Sequence, residues 1–309
     1  MKHQSISRRG FMGAAAAVVA TGLVGCASGA SNDQPATSES SAQEAPMAKP
    51  VILVTSFGTS YPTSRHITIG AIESDIREAF PDYDVRRAFT SQIIIEHVES
   101  DTGRHIDNFE EAMDKIVADG VKRVIVQPTH LMDGFEYTDV KEALADYEDK
   151  FDEVALGTTL LSSDDDKVAT ANAIKAAMER YEDDDTAVCL MGHGTEANSN
   201  VIYAEMQQVF KDLGYDNYFI ATVEATPTFD DVCKAAKDAG FKKAVLRPFM
   251  VVAGDHANND MADPEDPESF ISVMQAAGFE VQCVVEGLGQ IDTIDDIYVS
   301  HVQDAIDSL

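Results

Sequence analysis

The sequence has few basic residues and few cysteines. Lysine and arginine number 23 against 54 aspartates and glutamates, which gives a net charge of −31. This charge argues against general binding to the phosphates of nucleic acids. The four cysteines among 309 residues include no Cys-x-x-Cys pair, which favours neither a zinc ribbon nor a disulfide scaffold. The chain also lacks the P-loop pattern and the Gly-x-Gly-x-x-Gly fingerprint, and we therefore expect no nucleotide cofactor.

The N-terminal 25 residues have the layout of a secretory signal peptide. Residues 1–25 contain three basic residues and no acid, and their apolar run is shorter than the ~20 residues of a membrane span, although a transmembrane anchor is the alternative. The string SRRGFM is similar to a twin-arginine export signal, and LVGC, which ends at Cys26, is similar to a bacterial lipobox. We expect cleavage before Cys26 and lipidation of its thiol.

Residues 26–49 are rich in Ser, Ala, Gln, Glu and Pro. Such a segment buries too little apolar surface to order itself, so we interpret it as a disordered tether between the lipid and a folded domain. The protein is therefore expected to be exported and lipid-anchored, at the outer face of the cytoplasmic membrane or in the periplasm.

Residues 50–309 have the pattern of two similar α/β halves. The chain is 44% hydrophobic and 25% charged, which is the composition of a folded protein. Short runs rich in valine and isoleucine alternate with stretches of helical spacing, which indicates βαβ units and parallel sheets. The run VILVTS leads into FGTSYPTS as TAVCLM leads into GHGTEANSN, so we infer a duplication with halves at residues 50–185 and 186–309, each built on a four-stranded parallel sheet. A last helix near residues 291–308 could pack on either half.

Three residues with metal-binding side chains follow predicted strands of the second half. His193 and His256 each come after an apolar strand, and Glu224 ends the strand YFIATVE, where a carboxylate is costly unless it is paired or metal-bound. The carboxyl ends of parallel strands gather at one edge of the sheet, and neighbouring strands lie ~4.8 Å apart. We therefore predict that the three side chains converge on one divalent first-row metal ion, which this donor set does not identify further. The alternative for each histidine alone is a structural role.

Glu136 is the matching candidate in the first half. It is predicted in the loop after the third strand, ahead of a helix near residues 141–150, at the position that corresponds to His256. If the halves face each other across a cleft, Glu136 approaches the metal site from the opposite wall. The other candidates are interpreted as structural, with surface histidines at His66, His97 and His301, a packing or supporting residue at His130, and turn formers at Asp255, Asp260 and Asp263.

The motifs SFGTSY, RAFTS, GFEY, LLSS, MGHG, VEATP, VAGDHANNDM and GLG occur in this order along the chain. In these motifs and their order, the sequence resembles the anaerobic-type sirohydrochlorin cobaltochelatases from about Lys49 to Leu309. The ten-residue string VAGDHANNDM carries most of the resemblance, whereas SFGTS alone would be weak evidence.

The resemblance implies a chelatase-like α/β fold of two flavodoxin-like halves with a tetrapyrrole cleft between them. It implies that Co²⁺ is bound by His193, Glu224 and His256, and that Glu136 takes part in catalysis or in holding the metal. Insertion of Co²⁺ into sirohydrochlorin displaces two pyrrole protons, and the neutral imidazole of His193 is suited to accept one. The expected protein is thus a metal chelatase, a lyase of cobalamin biosynthesis.

The carboxylates of such a substrate need partners in a chain of net negative charge. Backbone amides and hydroxyls of Ser56, Thr59 and Ser60 are candidates because they precede a predicted helix start. Arg87 is the candidate cationic partner, and its alternative is a structural ion pair with one of the many acids.

Export leaves two main functions open, because cobalt insertion for cobamide synthesis is expected in the cytoplasm. The leading hypothesis is a chelatase that inserts Co²⁺, with Fe²⁺ or Ni²⁺ as alternatives, into sirohydrochlorin or a related ring. The runner-up is a lipid-anchored protein that binds a metal ion or tetrapyrrole for uptake without turnover. An esterase that uses Ser56 or Ser60 is disfavoured because the Gly-x-Ser-x-Gly elbow is absent. The sequence leaves haem binding and assembly into a homo-oligomer open.

Overall fold

The computed structural model describes residues 48–309. The predicted signal peptide, the lipidation site Cys26 and most of the predicted tether lie outside the described residues, so these predictions are not tested. Within the described part of the chain, no helix is both long enough and apolar enough to cross a membrane.

The first half is built on a four-stranded parallel sheet of order β2-β1-β3-β4. Its strands are β1 (Val51–Ser56), β2 (Asp84–Phe89), β3 (Arg123–Pro128) and β4 (Glu153–Leu156). The helices are α1 (Pro62–Ile67), α2 (Ile69–Ala79), α3 (Gln92–Thr102), α4 (Phe109–Ala118), α5 (Phe135–Ala145) and α6 (Asp164–Met178), the last of which leads into the second half.

The second half repeats this arrangement with the order β6-β5-β7-β8, again wholly parallel. Its strands are β5 (Thr186–Gly192), β6 (Tyr218–Thr222), β7 (Lys243–Pro248) and β8 (Glu280–Cys283). The helices are α7 (Val201–Asp212), α8 (Phe229–Asp238), α9 (Phe270–Ala276) and α10 (Asp292–Asp307). The predicted fold class, an α/β protein of two similar halves with parallel sheets, is confirmed.

Local sequence explains most of these elements. The central strands β1 and β5 are buried along their whole length, as expected for continuous apolar runs in a parallel sheet covered by helices on both faces. The helix α2 buries Ile69, Ile72 and Ile76 at spacings of three and four, and it ends at Ala79, two residues before Pro81, which cannot continue a helix. The spacing of the isoleucines and the position of Pro81 together account for the extent of α2.

The helix α4 begins with a capping box formed by Asn108 and Glu111. The backbone N–H of Glu111 donates to Asn108 Oδ1 at 2.8 Å, and the N–H of Asn108 donates to Glu111 Oε2 at 3.0 Å. Each side chain thus satisfies a backbone donor that the first helical turn leaves without a partner.

The helix α5 begins earlier than predicted. The sequence placed a helix near residues 141–150, whereas α5 spans Phe135–Ala145 and only a single turn follows at Glu148–Lys150. Gly134 provides the extended residue ahead of the helix, and the backbone N–H of Thr138 donates to its carbonyl oxygen. Glycine is compatible with both a loop and a helix start, so Gly134 does not define this boundary in the sequence, although Glu136 in the first turn is an acid that a helix N-terminus favours.

The last helix, α10, packs on the first half, which answers the question that the sequence left open. It contacts α2, α6 and β3, and the Tyr298 hydroxyl donates to the carbonyl oxygen of Thr129 at 2.9 Å. His301 lies on this packed face, is 5% exposed and has its Nε2 3.2 Å from Asp166 Oδ1. The prediction of a surface histidine at this position was therefore wrong, because the charged neighbours of His301 in sequence lie on the other face of the helix.

One hydrophobic core joins the two halves. It includes Ile52 and Val54 of β1 together with Val188 and Leu190 of β5, all fully buried. The two sheets are thus fixed relative to each other, and the loops after their strands open into a common cleft.

Candidate metal centre

The cleft has a volume of about 540 Å³ and is lined by the loops that follow β1, β3, β5, β6 and β7. Strand carboxyl ends of parallel sheets gather at one edge, which is why loops from both halves meet here. Its lining includes all but one of the residues proposed from the sequence as ligands, catalysts or substrate contacts, namely Ser56, Thr59, Ser60, Glu136, His193, Glu224 and His256.

His193 follows β5 and has one ring nitrogen engaged. Its Nδ1 lies 2.8 Å from the carbonyl oxygen of Gly194, and because a carbonyl can only accept, Nδ1 carries the proton of this hydrogen bond. The lone pair of Nε2 is then available to a metal ion or a proton. Gly194 has φ +86°, and a Cβ there would come within 2.8 Å of the backbone nitrogen of Ala225, so the turn that presents His193 requires glycine.

His256 is oriented in the same way by a carboxylate. Its Nδ1 lies 2.9 Å from Asp260 Oδ2, four residues along a π-helical turn at Ala257–Met261. An imidazole that donates Nδ1–H to a carboxylate presents a basic Nε2, which is the usual support of histidine ligands in metal sites. The sequence analysis interpreted Asp260 as a turn former, and the i, i+4 spacing to His256 is the signal that would have identified it as a partner.

The two imidazoles pack edge to face, and Glu224 lies next to His193. The ring centroids of His193 and His256 are 4.6 Å apart with the planes at 88°, and Glu224 Oε2 lies 3.8 Å from His193 Nδ1. The structure therefore places the three predicted ligands in one part of the cleft, with Glu224 beside Nδ1 and not Nε2 of His193, and their binding of a metal stays a prediction. Glu224 lies two residues beyond β6, and its side chain is 59% exposed, so the burial cost expected from the sequence does not apply.

Glu136 lies in the first turn of α5 and not in a loop as predicted. It still occupies the wall opposite His193. A Cβ at Gly134 would lie 3.6 Å from Glu136 Oε2 and 3.7 Å from the hydroxyl of Ser199, which belongs to the second half. Burial raises the pKa of Tyr203, and the charge of Glu136 adds to this shift, which again places the carboxylate near the second half.

Tyr203 lies next to the His193 turn and was not among the residues predicted from the sequence. Its hydroxyl accepts a hydrogen bond from the backbone N–H of Gly194 at 3.1 Å and so supports the turn that holds His193. A Cβ at Gly192 would lie 2.2 Å from the Tyr203 ring, so the ring reaches this position only because residue 192 is glycine.

The candidate substrate contacts divide into two groups. Ser56, Thr59 and Ser60 line the cleft, although the Ser56 hydroxyl already accepts from Thr129 Oγ1 at 2.8 Å. Arg87 does not line it. Its guanidinium donates to both oxygens of Glu73, at 2.6 and 2.7 Å, which is the structural ion pair that the sequence analysis kept as the alternative.

His130 forms part of the floor of the cleft. Its Nδ1 is buried without a hydrogen-bond partner among the described residues, and its Nε2 lies 3.5 Å from the hydroxyl of Thr90. Burial lowers the pKa of His130 to about 4, so the imidazole is neutral near pH 7. This fits the supporting or packing role expected from the sequence.

The cleft has a negative electrostatic character. In the described part of the chain, its lining contains no lysine and no arginine, but it includes Glu136, Glu196, Glu224 and Asp255. Such a cleft attracts a divalent cation, and it offers an anionic ring only hydroxyls, backbone groups and apolar surface.

A family model and two known proteins match most of this chain. The family model described as cobalt chelatase (CbiK) matches residues 50–307. The sirohydrochlorin cobaltochelatase of Salmonella typhimurium is 33% identical over 258 residues, which cover 84% of this chain and 97% of that protein. The sirohydrochlorin cobaltochelatase CbiKC of Nitratidesulfovibrio vulgaris is 30% identical over 272 residues, which cover 86% of this chain and 94% of that protein.

Solved structures with a similar fold are much less similar in sequence. SirB from Bacillus subtilis with Fe³⁺ has a TM-score of 0.59 at 13% identity, with 84% of this chain and 97% of that chain covered. The sirohydrochlorin chelatase SirB from Bacillus subtilis subspecies spizizenii in complex with cobalt has a TM-score of 0.57 at 10% identity and the same coverage. At these identities the match supports the fold alone.

Proposed function

This chain belongs to the cobalt chelatase (CbiK) family, and from that premise we propose that it inserts Co²⁺ into sirohydrochlorin with release of two protons. The observation that carries the proposal is the pair of neighbouring imidazoles in the cleft. His193 and His256 each have Nδ1–H held by an acceptor, which leaves each Nε2 free to bind the incoming ion.

The donor set fits the metal. Imidazole nitrogen and carboxylate oxygen are ordinary ligands for divalent first-row ions, and His193, His256 and Glu224 provide two of the former and one of the latter. Three protein ligands leave coordination positions for water and then for pyrrole nitrogens. The same donors would accept Fe²⁺ or Ni²⁺, so the choice of Co²⁺ rests on the family and not on the ligands.

Proton transfer follows from the transfer of the metal. Each of two pyrrole N–H groups must lose its proton as cobalt binds the ring nitrogens. While Nε2 of His193 binds the ion, it cannot accept a proton, but it becomes a base as soon as the ion moves to the ring. Glu136, which belongs to the first half and lines the same cleft, is the second acceptor.

The test is anaerobic absorbance of the purified protein with sirohydrochlorin and Co²⁺. We expect multiple turnovers for the wild type and loss of at least about a hundredfold in rate for His193→Ala and for His256→Ala, because each removes a ligand and an orienting group. His97→Ala is the matched control, since His97 is an exposed histidine on α3 outside the cleft. Chelation at wild-type rate by either cleft variant would overturn the assignment.

The same assay separates turnover from capture. A stoichiometric spectral change without turnover would make this a tetrapyrrole- or metal-binding protein on a chelatase scaffold.

We further propose that the chain is exported and lipid-anchored through Cys26, which the signal-like residues 1–25 and the tether composition support. Labelling of cells with a palmitate analogue, lost in Cys26→Ala, tests the anchor independently of the chemistry.

A further inference from the structure

A second cluster of metal-binding side chains lies outside the cleft, at the loop between α3 and α4. Ligand atoms of His105, Asp107 and Glu111 all lie within 4.8 Å of one another. Nε2 of His105 is 2.8 Å from Glu111 Oε2 and 3.8 Å from Asp107 Oδ1. Neither the sequence motifs nor the function proposed above accounts for this arrangement.

The imidazole of this cluster is oriented in the same way as a cleft ligand. Nδ1 of His105 donates to Glu99 Oε2 at 3.3 Å, and Nε2 donates to Glu111 Oε2 at 2.8 Å, so the imidazole is protonated in this arrangement and an ion bound at Nε2 displaces that proton. His256 is oriented by Asp260 through the same atom in the cleft. A carboxylate that fixes Nδ1–H of a histidine is the usual support for a metal-binding Nε2.

Backbone contacts hold the carboxylates in place, although the side chains are partly exposed. Glu111 is fixed by the capping box with Asn108, whose backbone N–H donates to Glu111 Oε2 at 3.0 Å. The carbonyl oxygen of Asp107 accepts from the backbone N–H of Phe89 at 2.9 Å, at the end of β2. The cluster is therefore attached to the sheet edge and to a helix N-terminus, and it is not a chance meeting of mobile side chains.

The distances require only small side-chain movements. Two ligands at ~2.1 Å from one ion lie ~3.4 Å apart in a tetrahedral site and at most ~4.2 Å apart in any site. Nε2 of His105 lies 3.8 Å from Asp107 Oδ1, which is within this range, whereas its 2.8 Å hydrogen bond to Glu111 Oε2 has to lengthen when an ion replaces the proton. In this structure the ammonium group of Lys115 pairs with Asp107, since its Nζ lies 2.6 and 2.7 Å from the two carboxylate oxygens, and a metal ion would compete with it.

We propose that His105, Asp107 and Glu111 form a second binding site for a divalent first-row transition metal ion such as Co²⁺, Ni²⁺ or Zn²⁺. One imidazole and two carboxylates suit this class of ion better than Mg²⁺ or Ca²⁺, which favour oxygen ligands alone. The site holds an ion of the same class as the chelation substrate at the surface of the first half. It does not depend on the chelatase function of the cleft.

The experiment counts bound Co²⁺ by equilibrium dialysis of the full-length protein, with His193→Ala/His256→Ala as the background that silences the cleft. This background should bind one Co²⁺ per chain. Adding His105→Ala should weaken that binding at least about tenfold, whereas adding His97→Ala, which removes an exposed histidine of the neighbouring α3, should leave it unchanged. Circular dichroism of each variant checks that the fold is kept.

A variant that is expected to strengthen Co²⁺ binding distinguishes loss of the site from loss of structure. Lys115→Met removes the cation that competes for Asp107, so Co²⁺ should bind severalfold more tightly in the same background. No bound Co²⁺ in that background, or equal binding with and without His105, would overturn the proposal. His105→Ala alone should keep chelation in the cleft, so failure of this site and failure of the chelatase function are distinguishable.

Discussion

Asp295 is buried on α10, and its Oδ1 has no hydrogen-bond partner among the described residues. Burial raises the pKa of this carboxyl to about 8, and the charges of Asp75, Asp292 and Asp296 add to the shift. Between about pH 4 and pH 8 the folded protein therefore keeps a proton that the unfolded chain releases. The folded state binds more protons in this window, so stability falls as the pH rises through it and levels off above pH 8.

Asp295→Asn should remove this part of the pH dependence. An amide cannot ionise, so the thermal midpoint of the variant should exceed that of the wild type at pH 8 and should approach it near pH 4. Differential scanning calorimetry across this range measures the difference. Asp296→Asn, an exposed neighbour on the same helix, is the matched control and should keep most of the fall. A parallel fall in the wild type and in Asp295→Asn would contradict the assignment.

At the residue scale, local sequence was enough to predict that the candidate ligands share a cleft but not which residues orient them. His193, Glu224 and His256 were found because each follows a strand, and strand ends are visible in local sequence. Asp260 and Tyr203 were missed as supporting residues, because their roles depend on how a π-helical turn and a helix present them to the histidines.

At the scale of elements, the turn after β5 determines where His193 lies. Gly194→Ala would place a Cβ 2.8 Å from the Ala225 backbone nitrogen in addition to the strain of φ +86°. The neighbour is backbone and cannot move aside cheaply, so we expect a lower thermal midpoint and a loss of chelation of more than about tenfold. Steady-state chelation assays and calorimetry measure the two effects.

Gly214→Ala is the matched control for this element. Gly214 has φ +77°, but a Cβ there meets nothing within 4 Å, so the substitution adds strain without a clash. It lies beyond the end of α7, at the opposite end of that helix from the cleft loops. Stability should fall and the chelation rate should be kept. Equal activity in the two alanine variants would show that the turn does not position His193.

The sequence predicted the elements to different degrees for a physical reason. Strands β1 and β5 are buried, largely apolar runs, and the capping box of α4 joins residues three apart, so both features are visible in local sequence. The start of α5 was missed because Gly134 is compatible with either a loop or a helix start. The docking of α10 on the first half, which buries His301, depends on contacts between residues far apart in the chain.

At the scale of the whole molecule, charge sets how the two substrates approach. The protein has a net charge of −31, and the described cleft lining includes four of its acids and no basic side chain apart from histidines. A divalent cation is attracted to such a cleft, whereas a tetrapyrrole that bears many carboxylates is repelled. The apolar and hydroxyl-bearing wall of the first half must therefore bind the ring against this repulsion.

This opposition predicts opposite salt effects for the two substrates. Raising ionic strength from about 0.01 to 0.15 M shortens the screening length from ~30 to ~8 Å, so KM for sirohydrochlorin should fall and KM for Co²⁺ should rise. Anaerobic steady-state chelation at several KCl concentrations measures both. Glu196→Gln removes one exposed acid of the lining and should reduce both slopes. A KM for the ring that rises with salt would mean that basic groups receive its carboxylates, contrary to the lining described above.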